Sequence, residues 1–127
     1  MGNYQHLMKK IVVIEDDPDV TAVMQNLFEP PDYQGYFFTC GEKAIPEIEE
    51  ILPDLVIMDL MMPTMSGFDI CQHLKRSGKT RNIPLIAVTG YDSRENRLKI
   101  FAAGIDDYLP KPFDVKVLVK KIKALIS

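Results

Sequence analysis

The chain has 127 residues, of which 46% are hydrophobic and 26% are charged, which suits one ordinary soluble domain with its own core. Its formal net charge of -3 excludes a general attraction to nucleic acid or to an acidic membrane surface. No apolar stretch approaches the ~20 residues that cross a bilayer, and no secretory signal is present, so we expect a cytoplasmic protein without membrane contact. Cys40 and Cys71 lack metal-ligand spacing and are expected to be reduced.

The first half of the chain predicts two strand–helix units. Residues 1–8 carry no periodicity and are predicted to be a flexible tail, whereas residues 9–127 are predicted to form one domain. Residues 11–14 predict a buried strand, and Asp17-Pro18 predicts the cap and first turn of a helix. A short strand over residues 36–39 and a helix over residues 42–52 follow. The residues predicted to face inward are Val20, Val23, Met24, Leu27, Ala44, Ile48, Ile51 and Leu52.

The second half predicts three further units. Strands are expected over residues 54–59 and 83–89 and at residues 108–110. Helices are expected to begin at about Ser66, at Asp92 or Ser93, and at Val115, and the middle one to end at Gly104. The inward residues of these helices are predicted to be Ile70, Leu74, Leu98, Phe101, Ala102, Val115, Leu118, Val119, Ile122, Leu125 and Ile126, with Lys116, Lys120, Lys121 and Lys123 in solvent. Five such units indicate an α/β three-layer sandwich.

Polar, chemically useful side chains follow four of the apolar runs. Glu15-Asp16-Asp17 follows the first run, Asp59 ends the second, Thr89 ends the third, and Lys111 follows the fourth. Short apolar runs without alternation are typical of parallel strands covered on both faces, and the ligand crevice of such a sheet lies at the carboxyl ends of the strands. Acids, a hydroxyl and an amine gathered at that edge suit divalent-metal and phosphate chemistry.

Four segments together carry a resemblance to a known family. They are residues 11–18 (IVVIEDDP), 53–67 (PDLVIMDLMMPTMSG), 87–90 (AVTG) and 104–113 (GIDDYLPKPF). Over residues 9–127 the chain resembles the receiver domain of bacterial two-component response regulators, the chemotaxis-regulator-like family. The resemblance implies a flavodoxin-like fold with five helices and a five-stranded parallel sheet in the order 2-1-3-4-5.

The same resemblance implies a phosphoacceptor and a metal site. Asp59 would accept a phosphoryl group from a phosphohistidine on a sensor histidine kinase or a histidine phosphotransfer protein. Asp16, Asp59 and the backbone carbonyl of Met61 would bind Mg²⁺, and Glu15 would bind it directly or through a water. Crowded carboxylates repel one another, and Mg²⁺ relieves that repulsion and prefers oxygen ligands.

The resemblance also implies a conformational switch. Lys111 would pair with one phosphoryl oxygen and Thr89 would donate its hydroxyl to another, and Tyr108 would turn inward as Thr89 moves. The event would change the face made by the fourth helix, fifth strand and fifth helix, which would meet a partner or form a homodimer. Such a domain is a phosphorelay signalling module with modest self-phosphorylation and self-dephosphorylation, not an enzyme, and it does not bind nucleic acid directly.

Two other functions stay open at this point. Residues 17–21 (DPDVT) resemble the nucleophile motif of haloacid-dehalogenase-type phosphatases, which would use Asp17 and leave Asp59 without a role. The chain could also be a receiver-shaped interaction module that is never phosphorylated. Replacing Asp59 and then Asp17 separates these functions, because a phosphatase needs Asp17 and a receiver needs Asp59.

Overall fold

The computed structural model describes residues 8–126, in which five strands alternate with five helices. The strands are β1 (Lys9–Ile14), β2 (Tyr33–Phe38), β3 (Leu55–Asp59), β4 (Leu85–Thr89) and β5 (Asp107–Pro110). The helices are α1 (Pro18–Leu27), α2 (Gly41–Ile51), α3 (Gly67–Arg76), α4 (Arg94–Ala102) and α5 (Val115–Ile126). The predicted tail, apart from Met8, lies outside the described residues, and so does Ser127.

All strand pairs are parallel and the strand order is β2-β1-β3-β4-β5, which confirms the predicted sheet. Successive residues of β1 belong to opposite faces, because side chains alternate along a strand. Val12 and Ile14 pack with residues of α2, α3 and α4, whereas Ile11 and Val13 pack with α1 and α5. The three-layer α/β sandwich is therefore confirmed, with one apolar core on each side of the sheet.

The register of the sheet brings the polar residues that follow the strands to one edge. Ile14 lies beside Met58, and Thr89 lies beside Pro110. Parallel strands in this register end together, so the residue that follows β1, the last residues of β3 and β4 and the residue that follows β5 share the carboxyl edge.

Local capping chemistry explains where three of the helices begin. Asp17 caps α1 by accepting a hydrogen bond of 2.9 Å from the backbone N–H of Asp19. Ser66 caps α3 through a reciprocal capping box with Asp69. Of the two residues expected to cap α4, Ser93 does so. These beginnings follow from short-range hydrogen bonds and agree with the sequence-based predictions.

The predicted inward face of α4 is wrong. Leu98 is 62% exposed, Phe101 is 50% exposed and Ala102 is also exposed, whereas Ile100 is fully buried. The predicted face of RENRLKIFA also carries Arg94 and Glu95, whereas Ile100 lies on the opposite side of the helix, and that side packs on the sheet. The helix thereby presents apolar side chains to solvent.

Other predictions needed smaller corrections. The strand β2 is longer than predicted, because its pairing with β1 already begins at Tyr33, opposite Lys9. Leu52 is exposed rather than inward, since it caps α2 in the left-handed conformation with φ of 48° and turns the chain away. Val23 and Val115 are also exposed, because both lie at the rim of a groove between α1 and the start of α5.

Candidate functional site

Three carboxylates meet at the carboxyl edge of the sheet. Glu15 follows β1 and is 2% exposed, Asp59 ends β3 and is buried, and Asp16 is exposed. One oxygen from each lies within 4.8 Å of the others. The structure therefore brings together all three acidic side chains predicted for the metal site.

Lys111 supplies the positive charge of this cluster. Its Nζ lies 3.0 Å from Asp59 Oδ2 and 2.9 Å from Glu15 Oε1. Its backbone N–H donates to the carbonyl of Thr89 at 2.7 Å, and its bond to Pro112 is cis. Burial acts to lower the pKa of Lys111, but its contacts with the two carboxylates outweigh burial and raise it above the ordinary value. The lysine is therefore held charged.

Glu15 is the carboxylate of the cluster whose pKa is raised. The pKa of Glu15 is raised from 4.5 to about 7. Burial is the main cause and the neighbouring Asp59 also raises the pKa, whereas Lys111 and the backbone N–H of Asp17 lower it. That N–H donates to Glu15 Oε2 at 3.1 Å. Glu15 Oε1 forms a close ion pair with Lys111 but accepts no well-directed hydrogen bond. Within residues 8–126 it is the one buried side-chain oxygen or nitrogen without a hydrogen bond.

The donor set fits a hard cation. One ammonium group stands against three carboxylates, so the cluster carries excess negative charge, and all three side chains present oxygen. A divalent cation would balance this charge and give Glu15 Oε1 a second positively charged partner beside Lys111. The backbone of Met61 lies at the same place, since its N–H donates to Asp59 Oδ1 at 3.0 Å.

Thr89 and Tyr108 lie on β4 and β5 and are not members of the acidic cluster. Thr89 is fully buried at the end of β4, and its hydroxyl contacts the backbone of Tyr91. Tyr108 is half-buried on β5, where its ring meets Phe101 edge to face with centroids 6.1 Å apart. Lys121 Nζ lies 6.0 Å from the centroid of the same tyrosine ring.

Two residues near the site were not singled out from the sequence. Lys121 was predicted to be solvated, yet it is half-buried and its Nζ binds both carboxylate oxygens of Asp107, at 3.0 and 3.1 Å. Asn96 contacts the loop that follows Thr89 through its side-chain amide. Both contacts join separate elements, and no local pattern in the sequence indicated either of them.

The fold and the cluster together define a receiver-type signalling domain. The chain matches the family described as response regulator receiver domain over residues 11–123, and it belongs to this family. It is 34% identical over 119 residues to the DNA-binding dual master transcriptional regulator RpaA of Synechocystis sp., a match that covers 94% of this chain and 49% of that protein. It is also 34% identical over 125 residues to the phosphate regulon transcriptional regulatory protein PhoB of Escherichia coli, with 94% and 52% covered. The chain thus spans about half the length of these curated relatives.

Solved structures show the same fold. The receiver domain of a signal transduction histidine kinase from Syntrophus aciditrophicus has a TM-score of 0.83 and 30% identity, with 93% of this chain and 89% of that chain covered. The receiver domain of a sensor histidine kinase from Pseudomonas aeruginosa has a TM-score of 0.85 and 25% identity, with 94% and 98% covered, and holds a magnesium ion in its active site cleft. The flavodoxin-like receiver fold is therefore confirmed. None of the helices in the described part of the chain is long and apolar enough to span a membrane.

Proposed function

We propose that this domain is a phosphorylation-operated switch in which Asp59 accepts a phosphoryl group, in a Mg²⁺-dependent reaction, from a phosphohistidine of a partner. The partner is a sensor histidine kinase or a histidine phosphotransfer protein. The observation that carries the proposal is the position of Lys111 Nζ, within 3.0 Å of both buried carboxylates and beside the exposed Asp16. A signalling role with modest self-phosphorylation and self-dephosphorylation, and a location in the cytoplasm, belong to the same proposal.

Four groups of the chain would hold the metal. They are the carboxylates of Asp16 and Asp59, the backbone carbonyl of Met61, and Glu15 either directly or through a water. The oxygen-only donor set supports this assignment, and so does Glu15 Oε1, which is buried and accepts no well-directed hydrogen bond. When bound, Mg²⁺ neutralises charge that develops on the phosphoryl oxygens.

The chain's own residues suit the transfer step. A carboxylate oxygen of Asp59 forms the new O–P bond while the P–N bond of the phosphohistidine breaks, and the electron pair stays on the ring nitrogen, which then takes a proton from solvent. Lys111 Nζ already lies at Asp59 Oδ2 and can contact a transferred phosphoryl oxygen without a large movement. Thr89, whose hydroxyl is buried nearby, would donate to a second oxygen.

The partner that donates phosphate would approach a groove next to Lys111. This groove, of about 410 Å³, lies between α1 and the start of α5 and has a mostly apolar lining. Its apolar residues are Val20, Val23, Pro112, Phe113 and Val115. Apolar surface beside the proposed acceptor supports docking of a partner whose histidine reaches Asp59.

Phosphorylation would be transmitted to a partner through the face made by α4, β5 and α5. Movement of Thr89 and Tyr108 would change this face, where Leu98 and Phe101 expose apolar surface. Such surface is suited to a protein partner, and homodimerisation through it is part of the proposal. The switch requires two packings that differ by a few kcal/mol, with contacts to the phosphoryl group choosing between them.

The decisive experiment is incubation with Mg²⁺ and a small-molecule phosphodonor, followed by intact mass measurement. Wild type is expected to gain one phosphoryl group and Asp59→Asn none, since an amide oxygen is a poor nucleophile. Asp19→Asn is the matched control, because Asp19 is an exposed acid of α1 outside the cluster. Equal uptake by Asp59→Asn and wild type would refute the assignment.

The same assay separates the alternative functions. Asp17 is half-buried and already accepts the N–H of Asp19 as the cap of α1, which disfavours it as the nucleophile of a phosphatase. Asp17→Asn is therefore expected to take up phosphate, whereas a phosphatase would depend on Asp17. Lack of uptake by wild type would favour the interaction module that is never phosphorylated.

A further inference from the structure

The loop between β4 and α4, residues 90–93, holds the hydroxyl of Thr89. Thr89 Oγ1 accepts the backbone N–H of Tyr91 at 3.0 Å, and its own hydroxyl faces the Tyr91 carbonyl at 3.4 Å. The second contact is long for an O–H···O bond. The Thr89 proton is consequently held weakly, although the side chain is fully buried.

Asn96, in the first turn of α4, binds the same carbonyl more tightly. Its Nδ2 donates to the Tyr91 carbonyl at 2.7 Å, and only the amide nitrogen can make this contact, because a carbonyl oxygen does not donate. Its backbone N–H donates to Ser93 Oγ at 3.1 Å. The amide of Asn96 therefore ties the loop that holds Thr89 to the helix that forms part of the output face.

Little else connects this loop to its surroundings. A methyl group built on Gly90 would have no atom within 4 Å, and the side chain of Tyr91 is exposed. Arg97 forms a second side-chain link between the loop and α4, since it binds Asp92 at 2.8 Å with side chains that are 39% and 41% exposed. The hydrogen bond from Asn96 is the shortest side-chain link between the loop and α4 that the described residues show.

We propose that Asn96 is a positioning residue that couples Thr89 to α4, so that movement of the Thr89 hydroxyl toward a phosphoryl oxygen is transmitted to the helix through the Tyr91 carbonyl. This inference rests on the function proposed above. It assigns to Asn96 transmission of the phosphorylation signal and no part in phosphate uptake, since its amide faces the loop and not the acidic cluster. A change of Asn96 should therefore leave phosphate uptake intact but reduce the response of α4 to phosphorylation.

The test compares Asn96→Asp with wild type. Asp has the same shape and is favoured near a helix N-terminus, but at neutral pH it cannot donate to the Tyr91 carbonyl. Asn82→Asp is the matched control, an exposed residue in the turn before β4. For each protein, phosphate uptake is measured by intact mass, and amide hydrogen exchange over residues 94–110 is compared with and without the phosphodonor.

Asn96→Asp is expected to take up phosphate like wild type, while the change in exchange of α4 on phosphorylation falls roughly three- to tenfold, the range for loss of one hydrogen bond. The control should respond fully. An unchanged response in Asn96→Asp overturns the inference while leaving the proposed function intact. Loss of uptake together with the response also overturns it, because Asn96 would then act on the site itself.

Two further results complete the test. Asn96→Ala, which removes the donor without adding charge, should behave like Asn96→Asp, and a full response in this variant would overturn the inference. Thermal melting of each variant without phosphodonor shows whether α4 remains folded, so that a lost response is assigned to lost coupling. If wild type itself takes up no phosphate, the proposed function fails first and the inference falls with it.

Discussion

Two lysines, one after the carboxyl end of β5 and one in the middle of α5, make similar ion pairs in different surroundings. Lys111 and Lys121 have side chains 23% and 26% exposed, and each has its Nζ within 3.0 Å of a carboxylate oxygen. Lys121 pairs one to one with the half-exposed Asp107, so the charges balance. Lys111 is shared by Glu15 and Asp59, both buried. Burial and charge imbalance, rather than the ion pair itself, therefore mark the place where a cation and a phosphoryl group can act.

Replacing each of the two lysines by alanine should change the rate of phosphate uptake by very different amounts. Lys111→Ala should lower the rate of phosphate uptake at Asp59 roughly 100-fold, because a preorganised charge that stabilises the transition state is lost. Lys121→Ala should leave that rate close to wild type, since its charge serves Asp107. Time courses of intact mass with the phosphodonor measure both rates. Equal rates in the two variants would contradict the proposal that Lys111, and not Lys121, takes part in phosphate uptake.

The unbalanced cluster should also make stability depend on pH. Because the pKa of Glu15 lies at about 7 in the folded protein and at 4.5 ordinarily, the folded state binds more protons between these values. This group therefore lowers the free energy of unfolding as pH rises through that window, by up to about 3 kcal/mol. In Glu15→Gln this fall in the free energy of unfolding should be absent, because glutamine does not titrate. Urea unfolding at pH 5 and pH 8 with a chelator tests it, with the exposed Glu95→Gln as control.

Magnesium should stabilise the protein through the same cluster. At 100 times its dissociation constant the cation should raise the free energy of unfolding by about 2.7 kcal/mol, because it binds the folded state. The increase should be smaller in Asp16→Asn, which lacks one carboxylate ligand, and unchanged in Asp107→Asn. Thermal melting with and without Mg²⁺ measures it. A similar increase in all three proteins would place the cation elsewhere.

The smallest effect is expected for the balanced pair. Asp107→Asn should change the free energy of unfolding by less than about 1 kcal/mol, because half-exposed ion pairs gain little in water. The change should shrink further in high salt, which screens such charges. Urea unfolding at two salt concentrations measures it. A much larger loss would mean that the Lys121–Asp107 pair is as important to the fold as the buried cluster.

Features that depend on near neighbours in the chain could be predicted from the sequence. Asp17 and Ser66 cap helices because their side chains reach backbone N–H groups two or three residues ahead. Strand ends carrying Asp59 and Thr89 could be placed because short apolar runs end there. The strand order needed the family resemblance, since no local pattern says which strands lie side by side.

Features that depend on packing between distant segments could not be predicted. The buried face of α4 was wrongly predicted, because Ile100 is the one buried residue of this helix and a single apolar residue gives no periodicity that indicates which side packs on the sheet. The link from Asn96 to Tyr91 was not foreseen either, as an asparagine in a first helical turn has many possible partners.

The strand–helix alternation and the kinds of side chain that follow the strands could be predicted from short stretches of the chain, because periodicity and capping are local properties. The fold was needed to show that Glu15 is buried beside Asp59 with a raised pKa, and that Lys111 Nζ lies within 3.0 Å of both carboxylates. Burial and charge proximity are set by how five strands align in space, and that alignment is not written in any short stretch of the chain.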